Sequence, residues 1–269
     1  MHGITNPKGI QTPTASITAG GEKRQDVQRR HRVEVVLWII GLIIFIISCF
    51  VIHAHPKPYA FDLAATEAAQ GAHLWPWVDP VLKFPSILNN PLPSIIALGC
   101  WFVGMMVMAL IFRLRGKSPL GWVLPAGSLV LAVLIATGLQ GGVEELVARP
   151  RPNPHIYPIH VYTPLVPFPT YPSGHTQHDV VYYGFLLYLS FTRAVREWRY
   201  HWLLLPLQIF AVFDILAIGY SRVLEGDHWL TDVLGGYLEG LLYLFLFIFL
   251  YRWVTNVIAK RRAKKLGAA

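Results

Sequence analysis

The sequence predicts an all-α fold, a polytopic membrane protein of six transmembrane helices with both termini in the cytoplasm. Three observations carry this. Of the 269 residues, 54% are hydrophobic and only 14% charged, whereas a soluble domain carries about 25% charged residues. The apolar residues fall in long blocks instead of alternating with polar ones, the pattern of membrane spans. The Lys and Arg residues gather in alternate connections, which sets an orientation. The net charge of +8 sits at helix ends and tails, where the positive-inside rule accounts for it without nucleic acid as a partner. Cys49 and Cys100 lie inside apolar blocks and read as packing residues, not as a metal site or a disulfide.

Residues 1–32 are polar and lack apolar periodicity, which predicts a disordered cytoplasmic tail. The membrane domain covers 33–254. Its first span is Val35 to Ala54, free of formal charge. His55 to Pro91 is mixed and carries Trp75-Pro76-Trp77, so a short helix at the membrane–water boundary is expected there. The second span runs from Ile95 to Phe112, and the third from Leu120 to Leu139, ending before Gly141-Gly142. A polar, proline-studded loop extends from Val143 to Pro172. The fourth span starts at Ser173 and ends at Thr192, the fifth is Trp202 to Tyr220, and the sixth is Trp229 to Tyr251. Residues 255–269 form a basic cytoplasmic tail. On this layout only Lys57, Lys83, Arg149, Arg151 and Arg222 of the 23 Lys and Arg fall on the outer side. Both termini are therefore expected inside.

Three polar clusters then emerge on the same outer face. The stretch Ser221 to Asp232, SRVLEGDHWLTD, places Arg222, His228 and Asp232 at the mouth of the last span. His228 and Asp232 are four residues apart and would share a helix face. A carboxylate there can take the proton of one ring nitrogen and leave the other nitrogen's lone pair outward, the arrangement of a nucleophilic or general-base histidine. The same pair also serves elsewhere simply to tie a helix end to a loop. Arg222 supplies a planar cation suited to phosphate. In Pro172-Ser173-Gly174-His175, Ser173 is a helix cap and Gly174 lets a ligand approach the backbone. The free N–H groups of the first turn form an anion site, and His175 is placed to donate a proton to a leaving oxygen. Arg149-Pro150-Arg151-Pro152 offers two guanidinium groups on a backbone that proline restricts. Cations on the outer face are what a phosphate ligand would justify.

Arg-Pro, then Pro-Ser-Gly-His, then Ser-Arg-x5-His-x3-Asp, in that order and each at a helix mouth, resembles the type 2 phosphatidic acid phosphatase superfamily. The similarity spans Val143 to Gly240, and six spans is the family's usual number. The second and third motifs match in full. The first departs: the family's lysine, seven residues before the arginine of its Arg-Pro, is Glu144 when counted from Arg151.

The resemblance implies that His228 attacks phosphorus and forms a phosphohistidine, with Asp232 orienting its ring and His175 protonating the leaving alkoxide. It implies that Arg151, Arg222, Ser173 and the Gly174 backbone hold the phosphoryl oxygens, with Arg149 available to compensate for the missing lysine. The expected function is an integral membrane lipid phosphatase of the cell membrane, acting on a lipid phosphate monoester or diphosphate at the extracytoplasmic face. No metal or cofactor is expected, since two arginines and a helix terminus can supply the charge stabilisation. A phosphotransferase using the same histidine, and a non-catalytic lipid-phosphate binder that has lost the first-motif lysine, are the alternatives. The loop 153–171, with five prolines among Tyr157, Tyr162, Phe168 and Tyr171, reads as a stiff lid or an interfacial anchor. His178 stands one turn past His175, near enough to tune the site. Asp214 and Glu239, inside spans, read as hydrogen-bonding groups between helices.

Overall fold

A computed structural model describes residues 14–164, 166–197 and 199–266 of the chain. The described residues form helices and connecting turns with no strand. In order, α1 is Thr14–Ala54, α2 Ala60–Gly71, α3 Val78–Leu88, α4 Pro91–Leu114, α5 Leu120–Val147, α6 Gly174–Ser190 and α7, a single turn, Arg193–Arg196. A 3-10 turn at His201–Leu204 leads into α8, Leu205–Leu224, and α9 is Leu230–Leu266. Of the expected disordered tail, residues 14–32 are instead helical and run on into the first span as α1, while residues 1–13 lie outside the described residues, as do 267–269 at the other end.

Among the described residues, five segments are long and apolar enough to cross a membrane: Gln28–Ala54, Pro91–Leu114, Leu120–Val147, His201–Leu224 and Leu230–Lys264. The expected fourth span corresponds to α6, which has 17 residues and is not among the five. It is enclosed by other helices. Val181, Tyr182, Phe185 and Leu189 of α6 form one core cluster with Met105 of α4, Phe247 of α9 and Ala126, Leu129, Ala132, Val133 and Ala136 of α5. The α5 residues recur at helical spacing, and the alanines let the backbones approach closely. On α9, Gly236 and Gly240 do the same. A Cβ on Gly236 would lie 2.5 Å from the Ser173 carbonyl oxygen, and one on Gly240 would lie 2.7 Å from Val180 Cβ. This close crossing brings the first turn of α9 against the start of α6, where the Ser173 N–H donates to the Asp232 carbonyl at 2.9 Å.

Two boundaries differ from the sequence expectation in ways that matter for the site. The third span does not end at Leu139 but continues through Gly141-Gly142 to Val147, because a helical glycine costs only about 1 kcal/mol and the hydrogen-bond ladder absorbs it. It stops at Ala148, whose backbone is left-handed (φ 53°, ψ 36°) and whose N–H returns to the Glu144 carbonyl at 2.9 Å. Such a cap reverses the chain directly before Arg149. Between α1 and α4 there are two short helices instead of one, α2 and α3, separated by the turn at Trp75-Pro76-Trp77. Trp75 and Trp77 remain exposed.

Candidate active site

The loop after α5, the first turn of α6 and the α8–α9 connection meet around a cavity of about 400 Å³. Arg151, His175 and Arg222 line it, so each of the three predicted clusters contributes to the same space. Ser86 and Asn90, from α3 and the residue before α4, form one side of it. Val161, Thr163 and Val166 of the proline-rich loop form another. That loop is fastened from several sides. Gln70 of α2 donates to the His160 carbonyl at 2.7 Å, Tyr162 N–H donates to the Glu225 carbonyl at 3.0 Å, and the Lys83 ammonium lies 4.8 Å from the Tyr162 ring centre.

His228 is almost wholly buried beside this cavity, with Nε2 3.5 Å from Nη1 of Arg151. Its other ring nitrogen, Nδ1, lies 2.9 Å from the Thr170 carbonyl oxygen. A carbonyl only accepts, so Nδ1 carries the proton and Nε2 keeps its lone pair. Burial first, then the positive charges of Arg151 and Arg222, holds the imidazole well below the usual histidine range. It is therefore neutral, the form a nucleophile needs.

The direct His228–Asp232 bond expected from the sequence is replaced by a relay. Asp232 Oδ2 is 3.9 Å from Nδ1, too far for a hydrogen bond. The reason is local: α9 begins at Leu230, so His228 precedes the helix and the four-residue helical spacing does not apply. Asp232 instead caps the helix, accepting from Trp229 N–H at 2.8 Å. The same oxygen accepts from Thr170 Oγ1 at 2.9 Å, and Thr170 Oγ1 lies 2.9 Å from His228 Nδ1. Thr170 thus touches the ring through both its carbonyl and its hydroxyl. The sequence held no motif that would single it out.

The two arginines of Arg-Pro-Arg-Pro have separate surroundings. Arg149 is fully buried and does not line the cavity. Its guanidinium donates to Asp232 Oδ1, to Asp62 Oδ2 at 2.9 Å, to Thr231 Oγ1 at 2.6 Å, and to the carbonyls of Pro56 and Lys57 at 3.2 and 3.3 Å. Every N–H is engaged by protein, an arrangement that differs from the phosphate contact expected. Arg151 donates to the Phe168 carbonyl at 3.0 Å and the Asp227 carbonyl at 3.3 Å, and its Nη2 lies 3.6 Å from Glu144 Oε1. Glu144 also accepts from Gln140 at 3.2 Å. It therefore stands beside Arg151 as a partner.

Ser173 and Gly174 do not line the cavity. Ser173 is fully buried, and its hydroxyl accepts from Thr176 at 3.0 Å. Gly174 packs on Gln140, where a Cβ would come within 3.0 Å of Nε2. The two join α6 to α5 and α9 here, a different arrangement from the phosphate contact expected. Arg222 is held by Asp227 Oδ2 at 2.7 Å and by Glu225 Oε2, while its buried Nε has no hydrogen-bond partner among the described residues. Glu225 and Asp227 both line the cavity, so its two arginines are matched by two carboxylates, both of them on Arg222. The sequence reading passed over both. His178 bonds to Ser94 at 2.9 Å and is not part of the cavity lining.

The PAP2 superfamily profile matches residues 125–258, the stretch that holds all three clusters. An undecaprenyl-diphosphatase of Sulfolobus acidocaldarius is 26% identical over 153 residues, which is 57% of this chain and 66% of that protein. The match thus spans just under two thirds of the relative's length. The crystal structure of a transmembrane PAP2-type phosphatidylglycerolphosphate phosphatase from Bacillus subtilis superposes with a TM-score of 0.61 at 22% identity, covering 81% of this chain and 96% of that one. It shares the fold. The crystal structure of Aquifex aeolicus LpxE gives a TM-score of 0.49 at 19% identity, over 71% of this chain and 96% of that one.

Proposed function

Since the chain belongs to the PAP2 superfamily through residues 125–258, we propose that it is a membrane lipid phosphatase that works through a phosphohistidine. The observation that carries this is His228: neutral, with its Nδ1 proton committed to Thr170 and its Nε2 lone pair beside Arg151. Nε2 attacks phosphorus, an N–P bond forms, and the bond to the lipid oxygen breaks. His175, on the cavity wall, takes up a proton when the phosphate anion binds beside it and gives that proton to the leaving oxygen. Arg151 and Arg222 balance the charge that spreads over the phosphoryl oxygens. Water, deprotonated by His175, then breaks the N–P bond and releases phosphate. Asp232 acts through Thr170, and no metal takes part.

The relatives' names suggest a polyprenyl diphosphate or a glycerophospholipid phosphate as substrate. The test is phosphate release by purified protein in detergent from a panel of both, with and without a chelator. Release from at least one lipid, unaffected by chelator, is expected. Phosphoryl transfer to an added lipid acceptor with no free phosphate would make the protein a phosphotransferase, and no turnover of any kind would leave a binder.

The proposal places six spans in the membrane, counting α6, with both termini cytoplasmic and the cavity on the extracytoplasmic face. The distribution of Lys and Arg supports it. In a cysteine-free background, His155→Cys should react in intact cells with a membrane-impermeant thiol reagent, and Lys260→Cys only after permeabilisation. The reverse pattern would put the cavity inside.

Glu144 offers a further check. At the place of the family's lysine it sits 3.6 Å from Arg151, and we read it as holding that guanidinium over His228. Glu144→Gln should lower kcat/KM about fivefold, a partly exposed ion pair being worth about 1 kcal/mol. Glu144→Lys should lower it further, because it sets two cations together. Tighter substrate binding by either variant would mean that Glu144 opposes phosphate instead.

A further inference from the structure

Residues 55–90 carry none of the three clusters and lie outside the region matched by the superfamily profile. Yet α2 delivers one fully buried carboxylate, Asp62, to the heart of the site. Asp62 Oδ2 accepts from the Tyr59 N–H at 3.1 Å and from Arg149 Nη2 at 2.9 Å. Oδ1 accepts from the Thr231 N–H at 2.8 Å and from the Thr231 hydroxyl at 2.9 Å. The Thr231 hydroxyl has a single proton, spent on Asp62, so it takes the Arg149 Nη1–H as acceptor. Arg149 is thereby stretched between two carboxylates, with Nη2 on Asp62 and Nη1 on Asp232.

We infer that Asp62 is a positioning residue for His228, acting through Arg149, Asp232 and Thr170. This rests on the phosphatase reading above. Two physical effects support it. The first is geometric: Thr170 N–H donates to the Arg149 carbonyl at 2.9 Å, and Thr170 Oγ1 donates to Asp232. The residue that fixes the histidine's tautomer is therefore seated on Arg149 and its partner. Arg149 in turn is seated on Asp62. The second is electrostatic. With both carboxylates ionised, Asp62, Arg149 and Asp232 together carry one net negative charge, buried beside His228. When Nε2 attacks phosphorus, positive charge develops on the ring, and that net negative charge stabilises it. Without the Asp62 charge, Arg149 would cancel Asp232 completely and the ring would lose its counter-charge.

The test compares wild type, Asp62→Asn, Asp62→Glu, Asp232→Asn and the Asp62→Asn/Asp232→Asn double variant, in detergent, on a lipid phosphate that wild type hydrolyses. Asp62→Asn should lower kcat about tenfold with KM unchanged, within the range for coupling inside one buried network. In the Asp232→Asn background the same change should cost less, since the Thr170–Asp232 bond that carries part of the effect to His228 is already lost. Asp62→Glu should retain more activity than Asp62→Asn, because it keeps the negative charge that seats Arg149 and stabilises the ring. Packing alone would give the opposite order, the amide being nearly isosteric with the acid. Wild-type kcat in Asp62→Asn, equal losses in both backgrounds, or glutamate worse than asparagine would each overturn the inference. Should wild type release no phosphate, the phosphatase reading falls while this inference keeps its own readout. The proton resonance of His228 Nδ1–H, assigned by its loss in His228→Ala, should shift in Asp62→Asn, and an unmoved resonance would refute the coupling.

Discussion

His228→Ala is expected to stop phosphate release, with a loss of at least about 10⁴-fold in kcat while the protein still inserts and folds. Removing the proposed nucleophile removes the covalent route itself; His175 would be occupied with the leaving oxygen, and His178 bonds to Ser94. Asp232→Asn should keep a small residue of activity, because the Thr170 carbonyl still orients the ring at 2.9 Å. Thr170→Val should fall between that variant and wild type, as it loses the hydroxyl but keeps the carbonyl. Brief incubation with substrate labelled in the transferred phosphorus, followed by alkaline quenching, should trap label on wild type and none on His228→Ala. Near-normal turnover by His228→Ala would rule out the mechanism.

The second large effect is on stability. Arg149→Met should cost about 3–5 kcal/mol, since it leaves Asp62 and Asp232 buried with no cation between them. Thermal unfolding in detergent should show a drop of several degrees or outright failure to purify. Arg149→Lys should rescue part of this, because a single ammonium can face one carboxylate but cannot span both. Arg151→Ala, two residues away, should instead fold normally and lose activity. A stable Arg149→Met protein with only weakened substrate affinity would return Arg149 to the role of phosphate contact that its motif suggested.

The contrast between these arginines shows where the sequence could be read and where it could not. Helices were legible because apolar blocks of membrane length admit few other structures, and the three helix-mouth clusters were legible because each carries chemistry in a short run. Arg149 and Arg151 are both followed by proline, and nothing in the string separates them. What separates them is the left-handed turn at Ala148, which aims the first inward and leaves the second beside the cavity. Likewise the spacing of His228 and Asp232 implied a shared helix face only if the helix had already begun, and it begins two residues too late. Asp62 and Thr170 were invisible for a different reason. Each acts through a partner about 60 to 170 positions away, and a single sequence carries no trace of such pairing. Glu225 and Asp227 stood inside the motif but were passed over, because their charge has meaning only once Arg222 is seen to bond both.

The brevity of α6 bears on how substrate arrives. A helix of 17 residues is about 25 Å long at 1.5 Å per residue, some 5 Å short of a hydrocarbon layer of about 30 Å. On the proposed topology, with α6 as the fourth of six spans and His175 in its first turn, the proposed proton donor would sit beneath the membrane surface at about the depth where headgroups meet acyl chains. A lipid can then present its phosphate without being lifted out of the leaflet, and the encounter becomes a two-dimensional one. Turnover should follow the mole fraction of substrate within the membrane or micelle, and fall when inert lipid or detergent dilutes that surface even though the bulk concentration of substrate stays the same.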